Sequence, residues 1–241
     1  MTPHDSSEAI LALSGLDSYY GELQVLRQAS LSIAKAEVVA LFGPNGHGKS
    51  TLLKAISGIN PPRRGTIRFD GEDITRTASD KIVEMGLAYI PEARNLFSEM
   101  TVLENLRLGA YNRRARPKVN DNIELVFSLF PRLDERKNQM AVTLSGGESR
   151  MLAVGRGLMS DAKLLLIDEP SIGLSPLMKK AVFGAINRIK KTTDISILIV
   201  EQEVDYALAV ADRIFLLKKG EVVMERMAGE IEKSEIEKAY F

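Results

Sequence analysis

The stretch Gly43-Pro44-Asn45-Gly46-His47-Gly48-Lys49-Ser50-Thr51 constrains this chain more than any other. It matches G-x-x-x-x-G-K-[ST], in which glycines let the backbone aim successive N–H groups inward as an anion nest. The flanks agree with the motif. Val38-Val39-Ala40-Leu41-Phe42 reads as a short buried strand, and Thr51-Leu52-Leu53-Lys54-Ala55-Ile56 as a helix ending near Gly58. A helix starting near Gly48 adds free N–H groups and the positive end of its dipole. In such a loop Lys49 reaches the β- and γ-phosphates of a nucleoside triphosphate, and the Ser50 hydroxyl ligates Mg²⁺.

Charge and length narrow the rest. Lys plus Arg and Asp plus Glu both number 32, so the formal charge is zero. Binding a phosphate backbone needs a basic excess, which weighs against nucleic acid as the main partner. The 241 residues suit one large domain, or a core with a sub-lobe. Cysteine is absent, which excludes a disulfide framework and fits a reducing compartment. No apolar run approaches a membrane span. The polar start Met1-Thr2-Pro3-His4-Asp5-Ser6-Ser7-Glu8 lacks the basic opening of a secretory signal. The expected location is the cytoplasm, with any membrane role arising through a partner.

Taken in order, residues 1 to about 10 are expected to fray. A first strand is expected within Ala9 to Ser18, a turn at Tyr19-Tyr20-Gly21, and a strand at Leu31-Ser32-Ile33. After the glycine loop come a strand at Thr66 to Phe69, a hairpin signal at Asp70-Gly71, a helix from Asp80 to Met85 and a buried strand Leu87 to Ile90. Helical patterns fill residues 101 to 160; Ile123, Val126, Phe127 and Phe130 share one apolar face. Arg113-Arg114-Ala115-Arg116-Pro117-Lys118 reads as a solvated basic loop. Strands return at Leu164 to Ile167 and Ile195 to Val200, with a helix from about Pro176 to Lys191 between them. A hairpin at Ile214 to Met224 and a charged helix from Ile231 to Phe241 follow. Strands alternating with helices imply a mostly parallel α/β sheet, and the block at about 93 to 160 reads as a helical lobe inserted into it.

Two further clusters carry chemistry. Leu164-Leu165-Leu166-Ile167-Asp168-Glu169-Pro170 is an apolar strand ending in two carboxylates. Alone these could be surface acids. Beside a phosphate-binding loop, Asp168 takes the Mg²⁺ role, and Glu169 can orient and deprotonate an attacking water. Leu144-Ser145-Gly146-Gly147-Glu148 opens a helix. Ser145 is a good N-cap, but capping does not explain two adjacent glycines, whereas a second anion site does.

In that order, the three motifs resemble the ATPase subunits of ABC transporters, over essentially the whole of residues 1–241. The resemblance implies a P-loop NTPase (RecA-like) α/β core with an antiparallel β subdomain and an inserted helical subdomain. It implies two ATPase subunits bound head to tail, as homo- or heterodimer, with ATP and Mg²⁺ between them. Ser145, Gly146, Gly147 and Glu148 would face the nucleotide on the partner's loop. Tyr20, with Tyr19 as the alternative, would stack on adenine. Transmembrane permeases, and indirectly a periplasmic solute-binding protein, would complete an importer on the inner face of the cell membrane.

Three positions depart from the commonest pattern of that family. Glu92 stands where a glutamine usually touches Mg²⁺ and the membrane subunit, Gln202 where a histidine usually meets the γ-phosphate, and Ser175 where an aspartate is usual. Gln202 can donate a hydrogen bond but cannot titrate. Pro91-Glu92-Ala93-Arg94, Ser171-Ile172-Gly173-Leu174 and Val200-Glu201-Gln202 resemble the shorter ATPase of branched-chain amino-acid importers. Urea and amide importers have similar ATPases. A soluble ABC ATPase usually shows tandem P-loops or a coiled-coil insert, and neither is present. A weakly hydrolysing assembly subunit is the reading that Gln202 motivates and Glu169 opposes.

Overall fold

The structure is a computed structural model that describes residues 9–240. The polar start expected to fray (residues 1–8) and Phe241 lie outside the described residues. The strands are β1 (Ala9–Tyr20), β2 (Leu23–Ala34), β3 (Val38–Phe42), β4 (Arg64–Phe69), β5 (Glu72–Asp73), β6 (Leu87–Ile90), β7 (Leu164–Asp168), β8 (Ser196–Val200), β9 (Arg213–Lys218) and β10 (Glu221–Met227). The helices are α1 (Lys49–Ile56), α2 (Ser79–Met85), α3 (Val102–Gly109), α4 (Val119–Leu129), α5 (Pro131–Glu135), α6 (Gly146–Leu158), α7 (Pro176–Thr192), α8 (Val204–Leu208) and α9 (Lys233–Tyr240).

They form two sheets. An antiparallel sheet has the order β2-β1-β4-β5, and a larger sheet has the order β10-β9-β3-β8-β7-β6. In the larger sheet β9, β3, β8, β7 and β6 are parallel, and β10 is an antiparallel edge. The parallel strands are apolar at nearly every position because both faces are covered. One face (Ala40, Phe42, Ile90, Ile167, Ile199) packs against α3, α4, α6 and α7. The other (Leu41, Leu166, Leu198, Val200) packs against α1 and the antiparallel sheet. Within α4, Val126 is fully buried and Ile123 and Phe127 pack partly buried on the same core, as their shared helical face predicts.

The expected turn at Tyr19-Tyr20-Gly21 is shorter. Both tyrosines belong to β1, Tyr20 pairs with Leu23, and Gly21 (φ 57°) and Glu22 make the turn. β2 begins at Leu23 rather than Leu31. Its buried residues Leu26 and Ala29 are three apart, because the β1–β2 register shifts around Gln28, whose φ is 48°. A bulge of this kind breaks the period-two signal on which a strand is recognised. Asp70 (φ 47°) and Gly71 (φ 84°) form the hairpin turn the dipeptide predicts. In the basic stretch 113–118, Arg114 and Lys118 both pair with Asp161, so only part of it is solvated.

Parallel strands end on the same side of a sheet. Leu41 pairs with Val200, Val200 with Asp168, and Ile167 with Ile90. The loops that follow β3, β8, β7 and β6 are thereby brought side by side at the carboxyl edge, where α/β sheets place their ligands.

Candidate nucleotide-binding site

The loop after β3 takes its shape from Gly46 (φ 78°) and Gly48 (φ 104°). A Cβ at Gly48 would lie 2.9 Å from Leu26 Cδ2, so β2 leaves no room for a side chain there. Gly48 is the N-cap of α1 and offers no capping side chain. The first N–H groups of α1 therefore remain available to an anion. Lys49 is buried; its Nζ donates to Gly43 O (2.7 Å) and Pro44 O (3.2 Å) and lies 3.8 Å from Glu169 Oε1. Burial pulls the lysine pKa down, and Glu169 and Asp168 offset this. His47 faces away from the nest: its Nδ1 accepts from Lys219 N–H (3.2 Å) in the β9–β10 turn.

Asp168 ends β7 and is 2% exposed. The Ser50 hydroxyl donates to its Oδ1 (3.2 Å) and the Tyr89 hydroxyl to its Oδ2 (3.0 Å). Burial raises the Asp168 pKa, these two hydrogen bonds lower it, and Glu169 and Glu92 raise it again. Burial, then Asp168, raises the Tyr89 phenol. Both contacts on Asp168 are neutral while its acidic neighbours repel its charge, an arrangement that a divalent cation would stabilise. Among the described residues no cluster of three or more His, Cys, Asp or Glu could hold a metal by itself.

Glu169 has φ 45°, a left-handed conformation rare for a side chain of this size. Its N–H donates to Val200 O (2.9 Å), and its Oε1 accepts from Gln202 Nε2 (2.7 Å). The neighbouring Glu201 is 1% exposed and binds both loops together. Its Oε1 accepts from Ser171 N–H (2.9 Å), and its Oε2 from Gln202 N–H (2.8 Å) and Glu203 N–H (3.1 Å).

These groups surround a cavity of about 300 Å³ lined by Asn45, Gly46, Gly48, Lys49, Ser50, Thr51, Glu92, Glu169 and Gln202, with Val25 and Ile172. Asp168 faces an adjoining cleft that shares Ser50 and Glu92. Ser145, Gly146, Gly147 and Glu148 do not line this cavity. Ser145 and Glu148 form a reciprocal capping box at the start of α6. Glu148 also lies 2.9 Å from the Arg136 guanidinium, so both its oxygens are occupied within the chain. Ser175 caps α7 one way only: its hydroxyl accepts from Met178 N–H (3.4 Å), with no reciprocal side chain. Tyr20 is exposed at the end of β1 and also lies outside the cavity lining, whereas Tyr19 is covered by the Arg63 guanidinium at 4.4 Å. Tyr20 is the more exposed of the two rings.

Sequence reasoning missed Val25, Ile172, Tyr89 and Glu201. For Tyr89 a signal existed: a hydroxyl inside an apolar strand needs a polar partner.

The ABC transporter family pattern matches residues 26–172. The chain is 41% identical, over 89% of its length and 91% of the relative's, to the high-affinity branched-chain amino acid transport ATP-binding protein BraG of Pseudomonas aeruginosa. It is 37% identical, over 90% and 91%, to the probable branched-chain amino acid transport ATP-binding protein LivF of Archaeoglobus fulgidus. Among solved structures, a nucleotide-free ATP-binding cassette from an ABC transporter matches with TM-score 0.80 and 28% identity, over 95% of this chain and 94% of that one. A structure of the ADP conformation of an ATP-binding cassette of an ABC transporter matches with TM-score 0.81 and 27% identity, over 96% of this chain and 94% of that one. Fold, motif order and site geometry agree with these likenesses, and the chain belongs to the ABC transporter family, among its ATP-binding cassettes.

Proposed function

We propose that this chain binds and hydrolyses ATP as the motor subunit of an importer for branched-chain amino acids. The observation that carries this reading is the meeting of Lys49, Glu169 and Gln202 on one cavity beside the Ser50–Asp168 pair. Lys49 and the N–H groups of Gly46 to Thr51 hold the phosphates, and Tyr20 stacks on adenine. Ser50 and Asp168, with Glu92 beside them, would hold Mg²⁺, which when bound would supply positive charge at the phosphates. Glu169 orients a water and takes its proton as the water oxygen bonds to the γ-phosphorus and the bridging P–O bond breaks. Such a base typically contributes ~10²–10⁴-fold. Gln202 keeps the Glu169 carboxylate turned into the cavity.

Ser145, Gly146 and Gly147 start α6 away from this chain's own cavity, which supports their acting on the nucleotide of a second ATPase subunit. Residues 93–160, inserted between β6 and β7, act as a helical subdomain. Among the described residues no helix is long and apolar enough to cross a membrane. In this reading the chain works on the cytoplasmic side of permease subunits that act with a solute-binding protein. A groove of about 380 Å³ beside the Glu92 loop, walled by Tyr89, Phe97, Leu108 and Tyr111, supports docking of a permease helix there. Phe97 and Tyr111 are exposed on that wall.

The test is Mg·ATP turnover of the assembled transporter, parent against Glu169→Gln, with leucine or urea as the solute. Loss of turnover in the variant and stimulation by leucine are expected. Equal turnover in both would remove Glu169 as base, and stimulation by urea alone would move the chain to the other importer class.

A further inference from the structure

Two arginines of α6 hold the backbone of the loop that carries Glu92. Arg150 Nη1 donates to Pro91 O (3.2 Å) and its Nη2 to Glu92 O (3.0 Å). Further along the same helix, Arg156 Nη1 donates to Asn95 O (2.8 Å) and its Nη2 to Arg94 O (3.1 Å). The backbone on both sides of Ala93 is therefore tied to one helix. The loop requires holding, because Arg94 and Asn95 are consecutive non-glycine residues with φ 41° and 48°.

Arg150 is fully buried, and among the described residues it makes no ion pair and its Nε has no hydrogen-bond partner. A buried guanidinium without a contacting carboxylate is costly. What Arg150 provides instead is a fork that spans two carbonyls and a charge near the acidic groups. Burial, then Arg94, lowers its pKa, while Glu92, Glu201 and Asp168 raise it. The Arg94 side chain in turn lies against Gly146: a Cβ there would be 3.6 Å from Arg94 Nη2. Gly146 starts α6, about 6 Å along the axis from Arg150 at 1.5 Å per residue.

We infer that Arg150 and Arg156 are positioning residues, a two-point clamp that fixes Glu92 at the edge of the cavity and makes its loop follow α6. The clamp depends only on the contacts within this chain. Its consequence for catalysis rests on the proposed function: a partner nucleotide touching Ser145 to Gly147 would then set the placement of Glu92 in this chain's own site.

The experiment is hydrogen exchange on the full-length chain, parent against Arg150→Gln and Arg156→Gln. The Phe97 N–H, which donates to Asn105 Oδ1 (2.9 Å), reports on the loop. Amides from 92 to 97 are expected to exchange at least tenfold faster in either variant, with α1 and β3 unchanged. In the assembled transporter kcat should fall at least fivefold, with half-saturating ATP within twofold. Unchanged exchange at 92–97, or an equal rise across α1 and β3, overturns the clamp. Should Arg150→Gln fail to fold, Arg156→Gln decides alone, since its side chain is only partly buried. A localised rise in exchange, with neither parent nor variant hydrolysing ATP, supports the clamp and removes the ATPase reading instead.

Discussion

Gln202 donates from Nε2 to Glu169 Oε1 at 2.7 Å, and the same carboxylate oxygen lies 3.8 Å from Lys49 Nζ. The proposed base is therefore turned by a neutral amide and faced by one buried cation. Gln202→Ala removes the amide and leaves Glu169 free to rotate. We expect kcat to fall by about tenfold, the order of a misdirected general base, with ATP affinity unchanged. Gln202→His should restore much of the rate and add an acid limb to the kcat profile near pH ~6.5, the ordinary histidine value. Identical profiles for the parent and Gln202→His would show that residue 202 does not act through the Glu169 carboxylate.

Lys49 donates to two carbonyls of its own loop, Gly43 O and Pro44 O. Binding phosphate then requires only that the ammonium turn from carbonyls to phosphate oxygens, with its stem already buried. Lys49→Ala should weaken ATP binding at least tenfold, which is about 1.4 kcal/mol of affinity. Titration with a fluorescent ATP analogue reads this directly. An unchanged affinity would sink the assignment of the glycine loop.

Tyr89 and Asp168 meet although 79 positions separate them in the chain. Tyr89→Phe keeps the ring and removes one of the hydrogen bonds that lower the Asp168 pKa. The carboxylate then holds its proton more tightly and orients less well. Apparent affinity for Mn²⁺, measured by electron paramagnetic resonance with ATP present, should drop roughly tenfold, the usual effect of removing a group that orients a metal ligand. ATP binding in the presence of a chelator should not change. A loss in both titrations would mean that Tyr89 supports the loop rather than the cation.

What the sequence made legible follows from how each feature signals itself. β6 was readable because a strand covered on both faces is a continuous apolar run, and Leu87-Ala88-Tyr89-Ile90 is bounded by Gly86 and Pro91. The convergence of Ser50, Asp168 and Glu169 was readable because each follows an apolar strand in a parallel sheet. The start of β2 was not, since the bulge near Gln28 moves Leu26 and Ala29 out of alternation. Val25 and Ile172 line the cavity as aliphatic side chains, and nothing in their chemistry distinguishes them from core residues. Arg150 sits in an amphipathic helix, where an arginine reads as surface. Only the packing of α6 on the Glu92 loop shows that it is buried.

The antiparallel sheet is joined to the parallel sheet by charge at Asp70. Lys163, just before β7, donates to Asp70 Oδ2, and Lys35 lies 3.5 Å from Oδ1. The hydrogen bond from Lys163 is the main cause that lowers the Asp70 pKa from its ordinary 3.8, with partial burial opposing it. A depressed folded-state value means that the unfolded chain binds the proton more readily. The stabilisation is therefore complete above about 3.8 and is lost as pH falls through the lower folded-state value. The Asp70 side chain is 28% exposed, so solvent screening holds the contribution to about 0.5–1 kcal/mol. Asp70→Asn isolates the charge, because asparagine tolerates the φ of 47° as aspartate does. At pH 7 the variant should unfold about 1–4 °C below the parent. By pH 2 the gap should have narrowed, because the unfolded chain then binds a proton that the folded carboxyl resists. High salt at pH 7 should narrow the gap as well. A gap of equal size at pH 7 and pH 2 would show that Asp70 acts through the geometry of its turn and not through its charge.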